Sequence, residues 1–166
     1  MRHVLAIIAA LALVACGSEP SPPTTTVDLG SVLVDDYPCG HGFWVGSGDQ
    51  AYGLFVEFTD YAGASAGMFV EPMSLVDGRW SAQVRVGSDL FANWCDDVVE
   101  PGEPQPSVLE TWPATAGTIQ LETLPAPGEC GPAGATVSGL VIDTGDGLIE
   151  LPDLVVSNPS WGCFAG

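Results

Sequence analysis

WSAQVRVG, residues 80–87, sets apolar and polar side chains in alternation, with Trp80, Ala82, Val84 and Val86 against Ser81, Gln83, Arg85 and Gly87. Successive side chains of a strand point to opposite faces, so this run reads as a strand with one buried and one wet face. Just upstream, Asp77-Gly78 is the dipeptide that supplies the positive φ of a two-residue hairpin turn. It predicts that residues 68–76 return as the strand's neighbour, with Pro72 marking an edge or a bulge. Farther out, Tyr52, Leu54, Val56 and Phe58 form a second alternating set, and 108–111 with 119–124 read as a pair joined across 113–117. Near the end, the β-rich runs 135–142 and 148–156 flank DTGDG (143–147), whose glycines and aspartates suit a tight turn.

Glycine, proline, valine and threonine interrupt every window outside the leader that could hold a three-turn helix; residues 88–99 could supply a turn or two. About seven to ten short strands with recurrent turn signals predict an all-β fold: an antiparallel β-sandwich, with a small β-barrel as the alternative. No internal repeat points to a propeller or solenoid. Hydrophobic residues make up 46% of the chain, enough to fill an interior. The 21 glycines and 14 prolines among 166 residues stay below the roughly 25–30% that marks a low-complexity chain.

The chain opens differently. Arg2 precedes an unbroken apolar run, 4–14, that ends beside the small residue Ala15. A membrane-spanning helix needs about 20 apolar residues, so this shorter run fits the core of a signal peptide instead. Leu13, Val14, Ala15 and Cys16 then match the lipobox, and the first twenty or so residues resemble the precursors of bacterial lipoproteins. The resemblance implies cleavage before Cys16, acylation of its sulfur by chains of the palmitate kind, and a lipid-bearing Cys16 as the first mature residue. Several acyl chains at about 0.8 kcal/mol per buried methylene would hold a protein stably at a membrane. Residues 17–27 (GSEPSPPTTTV) lack apolar periodicity and read as a tether, one that fully stretched would reach roughly 36 Å. The expected organisation is a signal peptide at 1–15, a lipidated tether at 16–27 and one all-β domain at 28–166. The address is extracytoplasmic, on the cell membrane or the outer membrane; Gly17 lacks the aspartate that, in the lipoproteins of double-membraned bacteria, tends to retain a product at the inner membrane.

Charge limits the partners. The 21 acidic residues face three arginines and no lysine, and Arg2 would leave with the leader. An acidic surface of this kind repels phosphate backbones and anionic headgroups, which excludes nucleic acid and leaves the lipid anchor as the contact with membrane.

With Cys16 assigned to lipid, Cys39, Cys95, Cys130 and Cys163 form an even set in a chain addressed to an oxidising compartment, which predicts two disulfides. Zinc would call for closely paired cysteines with histidine helpers, and the mature chain has His41 alone. The C-terminal hairpin orders the pairing. Facing residues of an antiparallel pair have numbers that sum to a constant, about 290 for a turn centred near Gly145. Cys130 and Cys163 come close to that sum, with an irregularity at Pro132 or Pro152 absorbing the slip. Cys130 is thus expected to bond Cys163, and Cys39 to bond Cys95.

Candidate chemistry is sparse. His41, within the Cys39-Gly40-His41-Gly42 run, has no nucleophile motif near it in sequence and reads as structural or solvated. A Cys39–Cys95 bond would gather Asp35, Asp36, His41, Asp96 and Asp97, where a hard cation such as calcium could settle on carboxylate oxygens. Neighbouring aspartates on a strand point to opposite faces, so solvated loop acids are the plainer reading. Asp143 and Asp146 lack the register of a calcium loop and read as turn residues. The tryptophans Trp44, Trp80, Trp94, Trp112 and Trp161 could stack on a glycan or protein partner, but core packing and cover over the disulfides account for them more simply. The sequence therefore points to a noncatalytic extracytoplasmic lipoprotein serving binding, adhesion or envelope structure. A cell-surface hydrolase using paired carboxylates and a calcium-stabilised binding module are the alternatives.

Overall fold

The computed structural model describes residues 27–59, 71–96, 98–126 and 128–163. The leader, Cys16 and the tether up to residue 26 lie outside them, as does Asp97. Among the described residues no helix is long and apolar enough to cross a membrane.

The chain runs α1 (Leu29–Val32), β1 (Leu33–Asp36), β2 (Gly42–Ser47), β3 (Tyr52–Phe58), β4 (Met73–Ser74), β5 (Trp80–Ser88), β6 (Ser107–Thr123), β7 (Gly131–Asp143), β8 (Leu148–Glu150) and β9 (Leu154–Trp161). Every pairing is antiparallel, in the order β1-β2-β3-β5-β6-β7-β8, with β9 also on β7 and β4 on β6. The fold is thus all-β and antiparallel with little helix, and its two layers are halves of one sheet curled into a half-barrel. The core lies inside the curl, where Phe43, Trp80, Val84, Val137, Ile142 and Val156 are packed together from both halves. Residues 89–95 form turns that lie against the outside of β2 and β3.

The alternation of residues 80–87 does what its period dictates: Trp80, Ala82 and Val84 are buried, whereas Ser81 is exposed. β3 pairs with it from Tyr52 opposite Val86 to Phe58 opposite Trp80, so both apolar sets face inward. Phe55, which the alternation places on the outer face, is buried there too.

Two turns expected from the sequence do not form. Residues 113–117 do not reverse the chain; they lie within the long strand β6. Gly117 at φ 142° and register shifts between Ala114 and Ala116 and between Ala116 and Thr118 bend the strand, a bulge in place of a turn. The first part of β6 pairs with β5 and the rest with β7 and β4, so this bend carries the sheet from one half to the other. Nor does Asp77-Gly78 close a two-stranded hairpin. Residues 73–74 pair with Thr118 and Ile119 of β6, and β5 already has β3 and β6 as neighbours. Asp77 instead accepts from its own neighbour Arg79 N at 3.0 Å, an Asx turn with Gly78 at φ 92°. Residues 68–70 lie outside the described part.

The last hairpin is present, and its facing residues run from Asp143 opposite Leu148 to Ala133 opposite Asn158 in one register. The register shifts between Gly131 and Ala133, at Pro132, and beyond the shift the Cα atoms of Cys130 and Cys163 are 5.0 Å apart. Cys39 and Cys95 make the other pair, with Cα atoms 5.8 Å apart.

Candidate functional site

The outer face of β2 and β3 carries Gly42, Trp44, Gly46, Gly53 and Phe55, and the glycines decide its shape. A Cβ at Gly46 would stand 2.6 Å from Phe91 Cε2 and from Tyr37 Cε2, and one at Gly53 would stand 2.8 Å from Phe55 Cε2 and from Phe91 Cζ. At Gly42 it would meet Trp44 Cζ2 at 2.6 Å. Bare backbone lets aromatic rings lie directly on the strands. Tyr37 and Phe91 stack at 3.8 Å between centroids, Phe55 and Phe91 at 5.2 Å, and Trp94 meets Trp44 edge-on at 5.2 Å. These distances fall in or near the range of favourable aromatic pairs.

The cover over this face is the 89–95 segment, which bends through Asp89, Asn93 and Cys95 at φ 52°, 54° and 64°. Non-glycine residues adopt that region at a cost. The segment is fixed by the Cys39–Cys95 bond, by Phe91 N donating to Gln50 Oε1 at 3.2 Å, by Asn93 Nδ2 donating to Pro104 O at 2.8 Å and by Trp94 Nε1 donating to Tyr37 O at 3.2 Å.

Beside the cover lies an open groove of about 550 Å³, lined by His41, Trp44, Glu57, Phe58, Thr59 and Trp94 together with the Cys39–Cys95 bridge. Glu57 pairs with Arg85 at 3.9 Å, and the Arg85 guanidinium lies 4.1 Å over the Phe55 ring. With its amide oxygen turned toward Arg85, Gln83 accepts from Nη2 at 2.8 Å. The Thr59 hydroxyl is within donating distance of the Gly78 and Arg79 carbonyls, at 2.7 and 2.8 Å. The Trp44 indole N–H is buried with no partner among the described residues.

His41 sits in the turn between the two cross-links. Gly40 N donates to Cys163 O at 3.1 Å and Gly162 N donates to Gly40 O at 2.8 Å, while Cys39 bonds Cys95. Burial pushes the imidazole below its ordinary value, and the ring meets Trp161 edge-on at 5.8 Å. Tyr37 is raised, first by burial and then by the Asp35 carboxylate.

Among the described residues the acids do not converge. Asp36 accepts from Ser157 Oγ at 2.6 Å, which ties β1 to β9. Asp35, on the opposite face, lies beside Gly48, and Asp96 is exposed after the cover segment. Among the described residues no three of His, Cys, Asp or Glu stand together as a metal site. Trp44, Trp80 and Trp161 are buried, whereas Trp94 and Trp112 are half-exposed.

Sequence reasoning missed Asn158 and Arg85. Asn158 lies two residues beyond the run 148–156 read as the hairpin's second strand, in the observed extension of that strand to Trp161, and its burial among carbonyls leaves no trace in a period-two pattern. Arg85 occupies a wet-face position, and only the aromatic packing of the outer face gives it Phe55 to cover. No family model, curated protein or solved structure matches this chain.

Proposed function

We propose that the chain is an exported lipoprotein, held at the membrane through an acylated Cys16, whose β-sheet domain binds a ligand and carries out no reaction. The composition of the groove supports binding: Trp44, Phe58 and Trp94 are among its lining residues, with Trp94 half-exposed, and its one hydroxyl, on Thr59, is engaged by main-chain carbonyls. Glu57 is turned to Arg85 and the imidazole of His41 is edge-on to Trp161. A concave apolar surface with a few polar groups at its rim is the ordinary form of a recognition site. The two cross-links support export, because disulfides persist in oxidising compartments.

Detergent phase partitioning of the full chain, natural and Cys16→Ala, tests the anchor. The natural chain should enter the detergent phase and the variant should stay aqueous; equal partitioning would end the anchored reading. Glycan and peptide arrays probed with the chain and with Trp94→Ala test the groove. A ligand retained by the natural chain and lost by the variant is the expected result, and turnover of any arrayed probe would overturn the noncatalytic reading.

A further inference from the structure

We infer that the free edge of β6, from Ser107 to Trp112, is a docking site for an extended, basic peptide segment that adds to the sheet as a strand. This stretch pairs with β5 on one side, Gly87 facing Val108 and Val84 facing Trp112. On the other side, β7 reaches β6 only from Ala114 onward, where Ala114 faces Ile142. Among the described residues no strand continues the line of β7 along residues 107–112. An open edge offers main-chain donors and acceptors to any chain that can lie beside it. This one also carries exposed apolar side chains: Val108 is 48% exposed and Leu109 77%.

What covers it is indicated by charge and by the hollow at its end. Where β7 turns into β8, a hollow of about 360 Å³ is lined by Glu110, Trp112, Pro113, Asp143 and Thr144, among others. Glu110 Oε2 accepts from Trp112 Nε1 at 2.8 Å and Asp143 Oδ1 accepts from Gly145 N at 2.8 Å, so both carboxylates are fixed by their own chain. Each keeps a second oxygen with no partner among the described residues. An indole that lines one hollow with two such carboxylates suits an ammonium or guanidinium group, which the ring face and the acids both attract. The whole chain reinforces that choice, with 21 acids against three arginines. A basic strand would be steered to the edge and would place one cationic side chain in the hollow. A second copy of this chain would bring Glu110 against an equally acidic surface.

The inference rests on the binding reading above but uses a surface separate from the groove, so the Cys16 and Trp94 experiments stand or fall apart from it. The probes are the blocked peptide Lys-Val-Lys-Val-Lys-Val and its acidic counterpart Glu-Val-Glu-Val-Glu-Val, titrated into the full chain in detergent. The basic peptide should bind, weaken as salt rises, and protect amides of residues 107–112 from exchange, while the acidic peptide should not bind. Leu109→Lys and Glu110→Lys, both at exposed positions, should weaken binding roughly tenfold or more with no change in melting temperature. Binding of both peptides alike, of neither, or with protection elsewhere would overturn the proposal. So would concentration-dependent dimerisation of the natural chain that Leu109→Lys abolishes, which would assign the edge to self-association.

Discussion

The side-chain amide of Asn158 donates to the main-chain carbonyl of Gly42 at 2.8 Å, and so joins the last strand of the sheet to the start of the second. The same nitrogen reaches Cys39 O at 3.0 Å, and the amide oxygen accepts from Ser160 N at 2.9 Å. Asn158 is fully buried. It therefore links β9 to β2 where no strand ladder among the described residues does, serving the Cys39 and Gly42 carbonyls on either side of the turn at Gly40.

Replacing it exposes that dependence. Asn158→Leu should keep the volume but strand the carbonyls, and a buried polar group left unsatisfied costs about 1–3 kcal/mol. Asn158→Asp should cost more, because both donors become a carboxylate facing carbonyl oxygens. Urea unfolding would check the order: natural chain, then Asn158→Leu, then Asn158→Asp as the least stable.

Gly46 makes a second prediction. The Cβ of Gly46→Ala would stand 2.6 Å from both Phe91 and Tyr37, so the stacked pair must shift off the sheet. Overpacking of this kind costs roughly 1–3 kcal/mol. Gly147→Ala serves as the control, since a Cβ there meets nothing within 4 Å. Near-ultraviolet circular dichroism should lose aromatic intensity in Gly46→Ala alone, together with a lower melting temperature.

How far the sequence reveals this molecule depends on the range of the interaction. The alternation of residues 80–87 is local, and it places Trp80, Ala82 and Val84 inward. Hairpin numbering is nearly local as well. It brings Cys130 opposite Cys163 to within the slip that Pro132 then absorbs. Failures begin where a strand changes partner. Pro113 and Gly117 carry the usual marks of a turn, yet β6 runs through them, because the gain lies in pairing with β5 on one side and β7 and β4 on the other. The outer aromatic layer is hidden for a related reason: nothing local to Gly42, Gly46 and Gly53 announces that the rings of Trp44, Phe55 and Phe91 lie on them.

Loss of the Cys39–Cys95 bond should act on more than chain entropy. The bridged residues are 56 apart and those of Cys130–Cys163 are 33 apart, so the loop-closure contributions are similar, roughly 3–5 kcal/mol each. Their local consequences differ. Cys130 and Cys163 join strands already paired along β7 and β9, whereas Cys95 pins a cover segment that holds Asn93 and Cys95 at positive φ. The Cys39→Ser, Cys95→Ser double variant should therefore lose exchange protection at Phe91 and Trp94 below the global unfolding limit. The Cys130→Ser, Cys163→Ser variant should keep that protection until the whole sheet opens.

His41 gives the fold a dependence on pH whose sign is fixed by its surroundings. Burial lowers its pKa below the ordinary value of 6.5, so the unfolded chain takes up a proton more readily than the folded one. The contribution from the neutral imidazole is fully present above about pH 6.5 and is lost as pH falls from there through the lowered folded value. The carboxylates follow their own course at lower pH: Asp49 is held below its usual range, first by the Ser47 hydroxyl and then by Ala51 N, and that contribution is lost only as pH falls through its depressed value. The two ranges are thus separable. His41→Gln should flatten the decline in urea midpoint just below pH 6.5 and leave the acid limb unchanged. An unaltered slope in the variant would mean that the imidazole stays equally protonated in both states, and that the turn between the two disulfides is open to water.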